Sequence, residues 1–155
     1  MGMDVYGNNP TSEKGEYFRN TVWWWHPLAT YCEEVCGSTC GQCESWHSND
    51  GDGLDAENAA VLASALLEEI ESGRCAEWKE RYEEELASLP DEECSICGGT
   101  GYRQEPPNVG PGDQKCNGCD GVGSRRPWDT HYPFSVENVQ EFAEFLQDCG
   151  GFKIC

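Results

Sequence analysis

The motif Cys-x-x-Cys-x-Gly-x-Gly occurs twice, as CSICGGTG at residues 94–101 and as CNGCDGVG at residues 116–123. The two copies supply four thiols in the pattern CxxC-x18-CxxC, which suits tetrahedral Zn²⁺ with no open coordination position. Glycines after each CxxC tolerate tight turns that point backbone amides at the sulfurs. A closed metal site replaces the core that so short a segment cannot build, so we predict a zinc ribbon over residues 91–126. The predicted zinc ligands are Cys94, Cys97, Cys116 and Cys119.

These repeats resemble the cysteine-rich region of DnaJ-type co-chaperones, which is built from the same units. The matching positions are Cys94, Cys97, Gly99 and Gly101 in the first copy and Cys116, Cys119, Gly121 and Gly123 in the second. That family usually carries four repeats and two zinc ions, so the two repeats here imply one. The chain lacks the His-Pro-Asp of a J-domain, since His26-Pro27 is followed by Leu28. The resemblance therefore implies the fold of the zinc module and not co-chaperone activity.

A second group of cysteines precedes the motif, and two interpretations of it stay open. The group comprises Cys32, Cys36, Cys40 and Cys43, with His47 four residues further on. Four of these five side chains could hold a second zinc ion, or the cysteines are free thiols in a helix and a loop. The CxxxCxxC spacing over residues 36–43 is also typical of radical SAM iron–sulfur sites, but the chain is too short for the barrel of those enzymes. We expect core or surface thiols at the remaining cysteines, Cys75, Cys149 and Cys155.

Hydrophobic periodicity predicts helices over much of the remaining chain. The predicted helices span residues 27–36, 56–71 and 75–88, and a final segment that follows Ser135. Asp55 is a good N-cap for the second of them, and Pro27 suits the first position of the first. Residues 1–20 carry little periodicity, whereas the closing GGFKIC alternates as a short strand does.

We therefore predict a mainly α fold with an inserted zinc ribbon, and a small α+β fold is the alternative. Residues 3–90 would form a helical domain that contains the Trp-rich segment and the first cysteine group. Residues 91–126 would form the ribbon, and residues 127–155 a helix and a short strand that pack back on the helical domain.

Three consecutive tryptophans in FRNTVWWWHPL cannot all face one core, so at least one is expected to be exposed or to line an interface. If this segment meets WHSND at residues 46–50, the two supply stacking faces, a cation and hydrogen-bonding groups for a planar or anionic ligand such as a nucleotide. The alternative is a small aromatic core, with Arg19 paired to one of the many acidic residues. The predicted pocket residues are Arg19, Asn20, Trp25, His26, Trp46 and His47.

The formal net charge of −19 at pH 7 limits the partners of this chain. A field of that sign repels phosphate backbones, so we expect no direct nucleic-acid binding. No apolar run reaches the length of a membrane span, and the opening MGMDVYGNNP does not have the pattern of a signal peptide. We therefore expect no membrane partner and a cytoplasmic location, where eleven cysteines favour metal over disulfides.

The sequence contains no HExxH, phosphate loop, nucleophile elbow or oriented Cys–His pair, so no catalytic residue is predicted. We expect a small acidic zinc-binding protein that acts as a non-enzymatic binding or inhibitory module towards a protein partner. Its short, acidic, aromatic-rich character resembles the small accessory proteins of bacteria and their phages, which favours a phage or prophage origin. The alternatives are a protein that binds or sequesters a nucleotide-like small molecule through the Trp-rich segment, and a chaperone-like zinc module.

Overall fold

The computed structural model describes residues 2–155, which divide into two compact units. The core unit consists of residues 2–82 together with Tyr132–Cys155, and the ribbon unit is Glu83–His131. Five α-helices lie within the described residues, at Val22–Val35 (α1), Gly37–Cys40 (α2), Ala56–Glu71 (α3), Arg74–Ser88 (α4) and Val136–Asp148 (α5). Two 3-10 turns, Glu13–Gly15 and Trp128–His131, complete the helical structure.

Seven short strands form three small antiparallel sheets within residues 2–155. The strands are Gly2–Gly7 (β1), Tyr17–Thr21 (β2), Glu92–Glu93 (β3), Tyr102–Arg103 (β4), Gln114–Lys115 (β5), Ser124–Arg125 (β6) and Phe152–Ile154 (β7). The core unit holds a three-stranded sheet in the order β2-β1-β7, and the ribbon unit holds the pairs β3-β6 and β4-β5.

The prediction of a mainly α fold is wrong, because the described chain is 45% helix and 15% strand, a mixed α+β structure. The missed strands are β1 and β2, which lie in the segment with little periodicity. On β1 the buried Met3 and Val5 alternate with Asp4 and Tyr6, too short a run to stand out from a loop. The strand is stabilised by its pairing with β2 and with the distant β7, which local sequence does not report.

The buried faces of these elements meet in one aromatic core. Trp25 and Trp46 are fully buried and stacked, with ring centroids 6.2 Å apart. Each indole N–H is satisfied: Trp25 Nε1 donates to the carbonyl of Trp46 at 2.6 Å, and Trp46 Nε1 donates to the carbonyl of Cys40 at 2.9 Å. Phe142 of α5 packs edge-on against Trp25. The core therefore fixes the segment after α2, which has no regular structure of its own, against α1.

Helix α1 starts five residues before the predicted position, at Val22 instead of Pro27. Its N-cap is Thr21, the last residue of β2, so the helix begins where the strand ends. Pro27 consequently lies inside the helix, where it has no N–H to donate. The early start spreads the tryptophans around the helix: Trp24 is 37% exposed and Trp25 is fully buried, which confirms that the three cannot share one core.

The remaining predicted helices lie close to their expected positions. Asp55 caps α3 by accepting the N–H of Asn58 at 2.9 Å, and Ser135 caps α5 in the same way. None of the helices described over residues 2–155 has the length and apolar character needed to cross a membrane.

Candidate metal centre

Each CxxC turn of the ribbon unit lies between two short strands. The first turn connects β3 to β4, and the second connects β5 to β6. Because β3 pairs with β6 and β4 pairs with β5, the two turns are tied to each other at both of their ends. The first cysteine of each turn also donates its N–H to the last glycine of the other: Cys94 to the carbonyl of Gly123 and Cys116 to that of Gly101, both at 2.9 Å. The sequence repeat thus becomes a structural repeat.

This pairing brings four sulfur atoms together. The Sγ atoms of Cys94, Cys97, Cys116 and Cys119 all lie within 4.8 Å of one another, and the four side chains are buried. The Sγ–Sγ distance is 3.9 Å between Cys94 and Cys116 and 3.7 Å between Cys97 and Cys119. Sulfurs about 2.3 Å from a tetrahedral zinc ion lie about 3.8 Å from one another. The group could therefore hold a metal ion such as zinc.

Backbone amides donate hydrogen bonds to two of these sulfurs, which favours the thiolate form of both. Gly101 N donates to Cys97 Sγ at 3.3 Å, and Gly123 N donates to Cys119 Sγ at 3.2 Å, which confirms the predicted role of the motif glycines. Burial is the largest single effect and opposes the charged form of Cys119, but the hydrogen bonds from the Gly123 amide and from the side chains of Cys116 and Cys97 together outweigh it and lower the pKa of that thiol. Hydrogen bonds to an ionised sulfur are stronger than those to a thiol.

Cys94 also has a lowered pKa. Burial is the largest single effect and acts against ionisation, but the hydrogen bonds from the backbone amides of Cys97 and Ile96 and from the side chains of Cys97 and Cys116 together outweigh it and lower the pKa of Cys94 to about 7. A metal ion needs its cysteine ligands as thiolates, so a thiol that is half ionised near neutral pH favours metal uptake.

Arg103 is a structural residue of the ribbon unit that the sequence did not indicate. It is 9% exposed and donates to the side chain of Asn117 at 2.8 Å and to the carbonyl of Asn108 at 3.1 Å. Arg103 therefore links the loop between β4 and β5 to the second CxxC turn. The sequence offers one signal for this role. Arg103 follows the first motif and lies on β4, which pairs with β5 across the intervening loop.

The first cysteine group does not assemble in the same way. Among residues 2–155, no other set of three or more His, Cys, Asp or Glu side chains brings its ligand atoms together. Cys40 Sγ instead donates to the carbonyl of Cys32 at 3.3 Å. Burial raises the pKa of Cys32 and raises those of Cys40 and Cys43 to about 12. These three thiols are protonated at neutral pH and pack in the core, while Cys36 is half-buried.

The six predicted pocket residues lie in three different places of the core unit. Arg19 and Asn20 line an open depression of about 380 Å³ together with Trp24. Trp25 and Trp46 are core residues, as described above. His26 and His47 meet near the surface, with their Nδ1 atoms 2.8 Å apart. The two segments do meet, but their side chains do not surround one common cavity.

The histidine contact involves an acidic residue that sequence reasoning missed. Glu33 Oε2 lies 3.2 Å from His47 Nε2. The sequence feature that could have indicated Glu33 is its position on α1 seven residues after His26, because residues seven apart lie on the same face of a helix. Burial, and then the charge of His47, lower the pKa of His26 below its usual value.

Comparisons of the chain with protein-family models, with curated proteins and with solved structures give no match.

Proposed function

We propose that this chain is a zinc-binding protein in which one Zn²⁺ holds the ribbon unit folded. The observation that carries the proposal is the buried group of four cysteine sulfurs, whose 3.7 and 3.9 Å separations match a tetrahedral tetrathiolate site. Four protein ligands leave no position for a substrate, so the ion has a structural role and not a catalytic one.

The composition of the ribbon core supports a structural role. Its buried cluster consists of the four cysteines alone, with the partly buried Ile96 packed against them. A cluster of this size removes too little apolar surface from water to offset the conformational entropy of ordering the unit. The free energy of metal binding supplies the difference, as in other small metal-dependent modules.

Zinc can be distinguished experimentally from iron and from a redox disulfide. Tetrahedral sulfur ligation suits zinc or iron, and iron tetrathiolates absorb visible light, so the colour of the purified protein distinguishes the two metals. A disulfide would need one sulfur pair to approach to about 2.05 Å, which would remove two ligands from the group.

A chelator experiment tests the structural role. In the ¹H–¹⁵N NMR spectrum of reduced protein, removal of zinc should collapse the signals of the ribbon unit and leave those of the core unit dispersed, and added zinc should restore them. Cys94→Ser should resemble the chelated protein, whereas Cys155→Ser, at an exposed free cysteine, should not. A ribbon unit that keeps its dispersed signals without metal would contradict the proposal.

We further propose that the protein acts as a non-enzymatic binding module for a positively charged protein surface. The support is the end of helix α4 that belongs to the ribbon unit, where Glu83, Glu84 and Glu85 are all exposed, on a chain with a net charge of −19. Charge of one sign steers association with an oppositely charged partner and makes the complex sensitive to salt.

A matched pair of charge variants tests this second proposal. Glu83, Glu84 and Glu85 are changed to Gln in one protein, and the exposed Glu13, Glu16 and Glu44 in the other, so that both lose the same charge. The first variant should lose the salt-sensitive capture of a basic protein from extract, and the second should retain it. Equal capture by both variants would contradict a role for α4.

A further inference from the structure

Two of the three histidines of the chain meet in the core unit, far apart in sequence and outside the cysteine centre. His26 belongs to α1, and His47 lies in the irregular segment after α2. Their Nδ1 atoms are 2.8 Å apart, and their ring centroids are 5.0 Å apart. The side chain of His47 is 42% exposed, so a dissolved ion can reach the pair.

Glu33 determines which ring nitrogen of His47 carries the proton. Its carboxylate lies 3.2 Å from His47 Nε2, where it accepts the ring N–H. A neutral imidazole that carries its proton on Nε2 has its lone pair on Nδ1. His47 Nδ1 is therefore an acceptor, and in the metal-free protein His26 Nδ1 donates to it. A carboxylate behind an imidazole is also the usual partner of a histidine that ligates a metal.

We propose that His26 and His47 form a second metal site, for a divalent transition metal such as Ni²⁺ or Cu²⁺, the ions with high affinity for imidazole nitrogen. The 2.8 Å between the Nδ1 atoms is the hydrogen-bond distance of the metal-free pair, and the 5.0 Å between the ring centroids means that the two nitrogens face each other almost directly. On binding, the proton of His26 Nδ1 moves to Nε2, and the rings turn so that both Nδ1 lone pairs point at the ion.

The surroundings define the kind of site this is. No third His, Cys, Asp or Glu ligand joins the pair within residues 2–155, so water fills the remaining coordination positions. The ion is therefore exchangeable and bound more weakly than zinc in a four-thiolate centre. The net charge of −19 and the adjacent Glu33 favour a cation here.

Titration of zinc-loaded protein with Ni²⁺ tests the proposal by calorimetry, with a phosphine reductant to keep the cysteines reduced. Ni²⁺ is the probe because Cu²⁺ oxidises thiols. Wild-type protein should bind one Ni²⁺, and His26→Gln and His47→Gln should each bind it at least tenfold more weakly. Glu33→Gln should weaken it as well, since removal of such a supporting carboxylate typically costs about tenfold or more. The matched control is His131→Gln, the third histidine, which lies in the ribbon unit and should change nothing.

Two further readouts locate the ion. Ni²⁺ should broaden the NMR signals around residues 26 and 47 in the unsubstituted protein, which requires no variant to fold. A Ni²⁺–thiolate absorption band in the near ultraviolet would place the ion on cysteines and overturn the proposal. Unchanged affinity in His47→Gln, or an equal loss in His131→Gln, would overturn it too. The zinc content of every variant is measured in parallel, so a loss of zinc from the four cysteines is distinguished from a loss of Ni²⁺ binding at the histidines.

Discussion

Gly101 and Gly123 are the residues that decide how closely the two CxxC turns approach. Both have positive φ angles, 80° and 90°. A Cβ atom on Gly101 would overlap the carbonyl oxygen of Gly121, and one on Gly123 would overlap that of Gly99. Each glycine also donates its N–H to a sulfur of the centre. Glycine is needed at these positions for both backbone conformation and space.

Substitution of Gly101 by Ala should therefore weaken zinc binding and destabilise the ribbon unit. The matched control is Gly98→Ala, because Gly98 also has a positive φ, 60°, but a Cβ there would make only ordinary contacts at 3.5 Å. Gly98→Ala should cost about 1 kcal/mol, the strain of a left-handed Ala, and Gly101→Ala distinctly more. Zinc competition with a chromophoric chelator measures both. Equal effects would contradict the importance of the close approach.

Asp52 has the corresponding role in the core unit, where it organises the segment that carries Trp46. Its carboxylate accepts the backbone N–H groups of Glu44 at 2.7 Å, Ser45 at 3.1 Å and Gly53 at 2.8 Å. The bond from Gly53 is the largest of the effects that lower the pKa of Asp52 below its usual value of 3.8. A carboxyl with a lowered pKa in the folded state stabilises the protein above its usual pKa.

Asp52→Ala should destabilise the core unit by about 1 kcal/mol at pH 7, because three donors lose an ionised acceptor. The difference from wild type should shrink as the pH falls below 3.8 and the carboxylate is protonated. Urea unfolding followed by tryptophan fluorescence at pH 7 and pH 3 measures it. Asp50→Ala is the control, since Asp50 is exposed and, among the described residues, its carboxylate accepts a hydrogen bond from Ser48 and from no backbone N–H. A pH-independent loss would refute a role for the charge.

At the scale of elements, local chemistry predicted the helices well and the sheet poorly. Helix α3 begins after Asp55 and α5 after Ser135, as expected, because a cap is a contact between residues three positions apart. Strands β1 and β2 went unpredicted because their stabilising partners are other strands, and β7 lies at the opposite end of the chain. The start of α1 was placed too late for a related reason, since burial of Trp25 outweighs the preference of Pro27 for a first turn.

The two side-chain caps should be worth measurable stability. Asp55→Ala and Ser135→Ala each remove a bond to a helix N–H, at 2.9 and 3.1 Å, and should each cost about 1 kcal/mol. Thr21 is the N-cap of α1 but makes no such side-chain bond, so Thr21→Ala should cost less than half as much. Thermal unfolding of the three variants measures the difference. A Thr21→Ala loss as large as the others would contradict this ranking.

At the scale of the whole molecule, the group of four cysteines could be predicted from sequence and the ligand pocket could not. Cys94 and Cys97 lie in one turn and Cys116 and Cys119 in another, so the geometry of each pair depends on residues close in sequence. The predicted pocket depended on where side chains point after folding. Trp25 and Trp46 are buried in the core, whereas His26 and His47 meet near the surface. Short-range patterns therefore predicted the four-cysteine group, whereas long-range packing determined the positions of the predicted pocket residues.

The zinc content of the protein tests this account most directly. Native mass spectrometry of protein purified under reducing conditions without chelators should find one zinc ion per chain. Cys94→Ser and Cys116→Ser should lose it, while Cys155→Ser, at the exposed free cysteine, should keep it. Metal-free wild-type protein that is nevertheless folded throughout, or full zinc content in either ligand variant, would contradict the assignment of the four cysteines as a structural zinc site.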